Sequence, residues 1–398
     1  MTGTAPPSFD VLIVGGYGHI GLPLGIALAD AGLQVALNDL DESKGRVIAE
    51  GRMPFLEYDA EPILQRVLGK TLHLAQPLAA AARSRTIVIT IGTPVDEYLN
   101  PKLMPMLGLA EALLPHLQPG HHVVLRSTVF PRTTERLASF FASHQADVKL
   151  SFCPERIAQG YAIRELRRLP QIVSGTTPEA VRLSEELFRR LGLEILVVDP
   201  LEAELAKLFS NAWRYTQFAI ANQFYMIAAE NGVDFHRIHH AMTHHYDRAD
   251  HFPGAGFAAG PCLLKDTLQL SAFRQSNFML GQAAMLVNEG LPAFIVDELR
   301  RKFDLPRQTV GLLGMAFKAD VDDIRDSLSY KLGKLLRFHG AQVLYSDEFA
   351  EDPTFIDKED LVARSSIVIV ATPHTAYRSL VIPEGIHLVD VWGMFRRG

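Results

Sequence analysis

Short runs of aliphatic and β-branched residues, bounded by polar, glycine or proline residues, recur through the first half of the chain. Residues 9–14, 34–39, 86–91, 122–126, 148–152, 172–175 and 194–198 have this form. A continuous apolar run, as opposed to an alternating one, marks a strand covered on both faces, as in a parallel sheet wrapped by helices. Asp199-Pro200 breaks the pattern, which places the end of a first domain near there.

Beyond that point the period changes. Residues 202–229 are free of glycine and proline, with Leu205, Leu208, Phe209, Ala212 and Thr216 at helical spacing, which predicts one long helix. A second helical region is expected over 266–303, where Pro292 is the only proline. Two long helices between α/β segments serve as connector and oligomer interface, because they leave an apolar face for a partner to cover. Strands at 309–314, 342–345 and 367–370, with a helix over 327–338, repeat the βαβ logic. The expected fold is α/β, with two Rossmann-like doubly wound domains, 1–199 and 306–398, joined by a helical central region, 200–305.

The first strand runs into Gly16-Tyr17-Gly18-His19-Ile20-Gly21, then a helical stretch, then a strand ending in Asp39. Strand before and helix after make this GxGxxG informative. Gly16 permits the turn, Gly18 lets backbone N–H groups approach a pyrophosphate, and Gly21 allows helix to pack on sheet. Asp39 is placed for a ribose 2′-hydroxyl, which favours NAD over NADP. Thr93 and Thr128 follow later strands at the ligand edge; each reads as a cofactor or substrate contact, or as a loop-capping hydroxyl. Glu155, in Cys153-Pro154-Glu155-Arg156, reads as an acid or base, or as a surface carboxylate. Lys207 and Asn211 lie four apart and share a helix face. The second α/β domain lacks a complete GxGxxG, so Lys318 and Arg325 are expected to grip a nucleotide phosphate there and not a second dinucleotide.

The stretch from Phe257 through Gly260, Cys262 and Lys265 to Asp266 sets a cysteine among small residues and beside a Lys-Asp pair. Lys265 would favour a thiolate, and Asp266 would orient a partner or take a proton from water. Taken alone the cysteine reads equally as a nucleophile or as a buried structural thiol. Five histidines, His239, His240, His244, His245 and His251, crowd one segment. His240 and His244 have metal-ligand spacing, but no nearby Glu or Cys completes a set, so no metal is expected.

Composition narrows the classes. With 398 residues, 48% hydrophobic and 21% charged, the chain has ample core material. A net charge of -6 without a basic run argues against nucleic acid as a partner. Two cysteines make no disulfide framework and point to a reducing compartment. Residues 1–8 lack a secretory pattern, and no uninterrupted apolar run approaches membrane-spanning length, so a cytoplasmic protein without membrane insertion is expected.

In order and spacing, these landmarks resemble the UDP-glucose/GDP-mannose dehydrogenase family. The match covers Gly16 to Leu24, Gly92-Thr93-Pro94, Ser127-Thr128-Val129, Pro154-Glu155-Arg156, Ala206 to Asn211, Gly260-Pro261-Cys262 with Lys265-Asp266, and Phe317-Lys318 with Asp323-Ile324-Arg325. The resemblance implies oxidation of C6 of a UDP-sugar to a uronic acid, with two NAD used in succession. Cys262 would form a thiohemiacetal and then a thioester. Lys207 would stabilise the oxyanion and Asn211 would help orient it, Asp266 with Thr128 would position or activate water, and Glu155 would assist as a base in the hydrolysis. Gly16, Tyr17, Gly18, His19, Ile20, Gly21, Asp39, Thr93 and Thr128 would line the cofactor. Glu155, Arg156, Lys207, Asn211, Arg248, Phe257, Gly260, Lys318 and Arg325 would line the substrate, Arg248 reaching it in a neighbouring subunit of a homodimer. The forms around Glu155 and Cys262 are most similar to the branch acting on UDP-N-acetylmannosamine, with UDP-N-acetylglucosamine and UDP-glucose as alternatives. Ala259 before Gly260, and Leu264 in place of a common proline, depart from the family pattern. A two-electron hydroxy-acid or sugar-phosphate dehydrogenase, which would not need Cys262, and an inactive nucleotide-sugar binder are the more distant readings.

Overall fold

The computed structural model describes residues 9–75, 78–92, 96, 102–275 and 277–395. They form two compact units, Met1–Phe209 and Ser210–Gly398.

The first unit alternates strands and helices: β1 (Phe9–Val14), α1 (Gly21–Asp30), β2 (Val35–Asn38), α2 (Glu42–Ala49), α3 (Ala60–Val67), β3 (Leu72–Leu74), β4 (Ser84–Ile89), α4 (Met104–Leu113), β5 (His121–Leu125), α5 (Thr133–Ser143), β6 (Val148–Phe152), α6 (Ala162–Glu165), β7 (Gln171–Gly175), α7 (Pro178–Arg189) and β8 (Ile195–Val197). The strands order as β3-β2-β1-β4-β5-β6-β7-β8, parallel except for the β6–β7 pair. The unbroken apolar run of β1 has a direct cause. Val11 and Ile13 enter the core beneath α1, while Leu12 and Val14 enter the opposite core with Leu113 and Leu137. Helix starts follow local sequence. Asp41 caps α2 through the N–H groups of Ser43 and Lys44, and Thr177 caps α7 with Pro178 at its first position.

Helix α8 (Pro200–Glu230) carries the chain from one unit into the next. Its buried Glu204 accepts N–H bonds from Arg132 at 2.5 Å and Thr134 at 2.8 Å, supplying the N-terminus of α5 with a carboxylate from outside that helix. Then come α9 (Phe235–Thr243), α10 (Leu263–Phe273), α11 (Met279–Lys302), β9 (Thr309–Leu313), α12 (Leu328–Phe338), β10 (Gln342–Ser346), α13 (Lys358–Arg364), β11 (Ile367–Val370) and β12 (His387–Val389), with sheet order β10-β9-β11-β12, all parallel. Val310 and Leu312 face a core shared with Leu291, Ile295 and Leu332, and Leu313 faces the other side. This is the expected α/β architecture, with Rossmann-like sheets in both terminal regions and helices between.

Three details differ from the sequence reading. The helix expected over 266–303 is two, α10 and α11, because the chain turns at Gln275, whose φ is +52°. The short strands β3 and β12 lack the long apolar runs that betray the others. Helix α11, despite Asn288 and Glu289, is long and apolar enough by length and composition to cross a membrane. It packs instead in the core of its unit, where Leu291, Ile295, Val296 and Leu299 are buried.

Buried asparagines fix the loop ahead of α10. Asn222 on α8 exchanges bonds with Gly256, donating to its carbonyl at 2.9 Å and accepting from its N–H at 2.8 Å. Asn222 also donates to Asn288 Oδ1 of α11 at 2.9 Å, and Asn288 donates to the Tyr215 carbonyl at 2.9 Å. The side-chain amides of Asn222 and Asn288 both have hydrogen-bond partners, so a buried polar cluster defines the loop.

Candidate active site

The glycine turn after β1 separates into protein-packing and ligand-facing positions. A Cβ at Gly16 would come within 2.9 Å of the Ile13 carbonyl, and one at Gly21 within 2.8 Å of Thr90 Oγ1. At Gly18 the nearest neighbour would be 3.6 Å away, an ordinary contact, so the turn itself tolerates a side chain there. The residues thus fit a dinucleotide whose pyrophosphate approaches Gly18. Helix α1 starts with neither a capping side chain nor an acid in its first turn, leaving its positive end for such an anion. The left-handed backbone belongs to Gly15, with φ +82°, and not to Gly16. Thr90, which the sequence reading did not single out, donates to the carbonyls of Val14 at 3.0 Å and Gly15 at 2.9 Å and braces the turn from β4. Asp39 accepts the Tyr17 N–H at 2.9 Å and the Leu40 N–H at 2.7 Å, which fixes the carboxylate against the turn. Thr93 lies outside the described residues; Thr128 is half-buried just past the end of β5.

Glu155 is more deeply committed than its sequence context indicated. It is buried and ion-paired to Arg126, itself fully buried. Its other oxygen accepts the N–H groups of Arg156 at 2.6 Å and Ile157 at 2.8 Å. Arg126 also donates to Gln171 Oε1 at 3.0 Å and to the Cys153 carbonyl at 3.3 Å, with its guanidinium 5.0 Å from the Phe188 ring centre. A carboxylate with three N–H partners holds a loop, and proton abstraction would require one of those bonds to be given up. The clue was Arg126 itself, a charged residue at the end of a buried strand. Arg156 donates to the Pro170 carbonyl. Cys153 is fully buried, and burial pushes its thiol up to about 11, which makes it an inert core residue.

Cys262 immediately precedes α10 and is exposed. Four residues on, Asp266 is fully buried on that helix, and its backbone N–H donates to the Cys262 carbonyl at 2.9 Å. Asn211 of α8, also buried, donates to Asp266 Oδ2 at 2.5 Å. Lys265 Nζ stands 2.9 Å from Asp266 Oδ1, at ion-pair distance but out of line for a hydrogen bond. Lys265 is therefore paired with the aspartate. Lys207, one turn before Asn211 on α8, is half-buried and makes no hydrogen bond or ion pair among the described residues. An ammonium without a counter-ion suits an oxyanion. Gly260 has φ +99°, and a Cβ there would strike the Phe317 ring. Phe257 is a core side chain, packed with Val310 and Met315. Arg248 is exposed on the segment after α9 and bonds to nothing among the described residues.

The turn after β9 has a different occupant from the turn after β1. Asp347, at the end of β10, accepts the N–H groups of Met315 at 2.6 Å and Ala316 at 2.9 Å, where an anion would otherwise bind. Burial opposes its charge, but the bond to His374 Nε2 at 3.0 Å and further backbone donors hold its carboxyl at about 2. The Asp320 N–H donates to His374 Nδ1 at 2.9 Å, so the ring proton sits on Nε2 and points at Asp347. This internal carboxylate accounts for the missing GxGxxG. Lys318 is half-buried in the following loop, and Arg325 is exposed there with its guanidinium gripped by Asp323.

His240, His244 and His245 lie in tilted contact, with ring centres 4.7 and 4.0 Å apart. Among the described residues no group of three or more His, Cys, Asp or Glu gathers as a metal would require.

Comparison with known proteins matches three consecutive family models. Residues 10–192 match the UDP-glucose/GDP-mannose dehydrogenase family NAD binding domain, 201–290 its central domain and 311–397 its UDP binding domain. The chain is 27% identical over 378 residues to the UDP-N-acetyl-D-mannosamine dehydrogenase of Pyrococcus horikoshii, covering 92% of this chain and 90% of that one. It is 28% identical to the NDP-N-acetyl-D-galactosaminuronic acid dehydrogenase of Ralstonia nicotianae, over 94% of this chain and 92% of the relative. Among solved structures, a UDP-glucose dehydrogenase from Pyrobaculum islandicum superposes with a TM-score of 0.89 at 27% identity, over 98% of this chain and 96% of the other.

Proposed function

Since the chain belongs to the UDP-glucose/GDP-mannose dehydrogenase family, and is an NAD-dependent nucleotide-sugar dehydrogenase, we propose that it oxidises the C6 hydroxyl of UDP-N-acetyl-D-mannosamine to the uronic acid through a thioester on Cys262. The observation that carries this reading is the sequence of groups on and beside α10. An exposed Cys262 at the helix start has a buried Asp266 one turn below, bonded to Asn211. A simple two-electron dehydrogenase has no use for a nucleophile so placed.

In this reading residues 1–199 hold NAD, 200–305 carry the chemistry and 306–398 hold the UDP moiety. The Gly18 turn and Asp39 would hold NAD, which when bound would supply the hydride acceptor for the two oxidations. The protein's own contribution is as follows. Cys262 adds to the C6 aldehyde formed in the first oxidation and gives a thiohemiacetal, which keeps the aldehyde from escaping. Lys207 stabilises the oxygen as it gains charge, and Asn211 helps orient the site through its bond to Asp266. After the second oxidation leaves a thioester, Asp266 with Thr128 directs water to the acyl carbon, and Cys262 departs as the thiolate. Glu155 serves by holding the loop that carries Arg156. Lys318 and Arg325 meet the nucleotide phosphates.

The protein acts as a homodimer in the cytoplasm. Support for the dimer comes from Phe209, Trp213, Ile220, Phe224 and Ile227, which are exposed at 40–62% and recur at helical spacing along α8. A stripe of that kind on a 31-residue helix calls for a partner.

The test is NADH formed per UDP-N-acetyl-D-mannosamine consumed. Two are expected. One NADH with an aldehyde product would refute the thioester route, and activity confined to UDP-N-acetylglucosamine or UDP-glucose would refute the sugar assignment alone.

A further inference from the structure

Lys318 stands in the loop after β9, and that loop is pinned on both sides of it. On one side Asp347 accepts the N–H groups of Met315 and Ala316, and Thr372 Oγ1 donates to the Ala316 carbonyl at 2.6 Å. Two residues beyond the lysine, Asp320 has φ +57°, a left-handed backbone that a non-glycine residue keeps only where its surroundings hold it. Three bonds do so. The Asp320 N–H donates to His374 Nδ1 at 2.9 Å, and the Asp320 carboxylate accepts the Thr375 N–H at 2.8 Å and the Thr375 hydroxyl. His374 is fully buried and its ring is fixed in orientation. Its Nε2 donates to Asp347 Oδ2 at 3.0 Å, and the rings of Phe349 and Tyr377 lie against it with centres 5.0 and 5.4 Å away. One imidazole thus ties together the two anchors of the lysine segment. The same loop is clamped to the cysteine loop by the Gly260 N–H, which donates to the Asp326 carbonyl at 3.2 Å, with Phe317 lying over the glycine.

We propose that His374 is a positioning residue for the nucleotide: by holding Asp320 in its left-handed conformation, it fixes where Lys318 presents its ammonium to the phosphates of a UDP-sugar. It touches no reacting atom. With Nδ1 accepting and Nε2 donating, both ring nitrogens are committed, so the imidazole has no proton to exchange with substrate. The two bonds differ in weight. Asp347 also accepts backbone N–H groups from Met315, Ala316, Phe349 and Ala350, so the ring is one donor among five there within the described residues. At Asp320 the ring is the acceptor for the backbone N–H itself. The Asp320 bond is therefore the one through which His374 acts on the lysine.

This inference rests on Lys318 meeting the nucleotide phosphates, and binding of UDP alone to the full-length protein, followed by titration calorimetry, tests it without turnover. Asparagine and glutamine each reproduce one half of the imidazole. In His374→Asn the amide oxygen takes the place of Nδ1 and still accepts from Asp320; in His374→Gln the amide nitrogen takes the place of Nε2 and still donates to Asp347. His374→Gln is expected to bind UDP about fivefold or more weakly, with KM for the UDP-sugar rising in step and NAD affinity held. His374→Asn is expected to rescue most of that loss. A histidine that served stability alone would give no such split, so equal UDP affinity in the two variants, or weaker binding in His374→Asn, overturns the inference. If His374→Gln does not fold, Thr375→Ala, which removes a bond to the same anchor from an exposed position, is expected to weaken UDP about twofold. Wild-type affinity in that variant overturns the inference. Lys318→Met separates the two levels. Weakened UDP binding there beside an unaltered His374→Gln defeats the inference alone, whereas wild-type affinity in Lys318→Met defeats the reading of Lys318 and the inference with it.

Discussion

Asn211 Nδ2 lies 2.5 Å from Asp266 Oδ2, joining α8 to α10 through two side chains that solvent barely reaches. The amide must donate there, which leaves Asn211 Oδ1 as acceptor and directs the charge of Asp266. Asn211→Ala removes the only hydrogen bond made by a buried carboxylate among the described residues. A stability loss of about 1–3 kcal/mol in urea titration is expected. Turnover is expected to fall about tenfold or more, with substrate affinity changing less. Full activity in a stable Asn211→Ala variant would remove Asn211 from the site.

Gly260→Ala tests the clamp between the cysteine loop and Phe317. Both the left-handed φ and the ring oppose a methyl group. Turnover is expected to drop severely while NAD binding, measured by fluorescence titration, stays at the wild-type value because the glycine turn belongs to the other unit. A variant with normal turnover would contradict the clamp.

Arg126 and Glu155 form a buried ion pair, and such pairs are costly to break from one side. Arg126→Met is expected to cost about 3–5 kcal/mol, seen in the denaturation midpoint. Combining it with Glu155→Gln is expected to restore part of that loss, because the unpaired charge is gone. Purely additive losses would mean that the two side chains act independently.

His122 is buried between Ser151 Oγ at 3.1 Å and Ser184 Oγ at 3.0 Å, and burial holds it down at about 3. The unfolded chain binds this proton near pH 6.5 and the folded one does not, so folding stability falls as the pH drops from about 6.5 toward 3. Over that interval His122→Gln is expected to lose less stability than wild type, by an amount on the order of a few kcal/mol. Parallel curves would contradict the assignment.

Much of this was legible beforehand because it rests on local rules. Strands covered on both faces announce themselves as continuous apolar runs, so β1, β4, β5 and β6 were visible to within two residues. The glycine turn and its acid have a spacing dictated by a ligand, and the groups flanking Cys262 are close in sequence. What escaped notice depends on distant partners. Nothing near Glu155 in sequence announces that Arg126 will hold it. Likewise the Asp347–His374 pair joins residues 27 apart to fill a turn whose N–H groups would otherwise face an anion. The break between α10 and α11 was hidden for a different reason: Gln275 in a left-handed turn leaves no glycine or proline as a mark.

The central claim is that Cys262 becomes acylated during turnover. It is tested most directly by acid-quenching Asp266→Asn in mid-reaction with UDP-N-acetyl-D-mannosamine and NAD, then weighing the intact protein and its Cys262 peptide. A thioester adds the mass of the substrate less four hydrogens, and the account predicts that increment on the Cys262 peptide, absent from Cys262→Ala. Acid product formed steadily with no adduct on Cys262 at any quench time would contradict it.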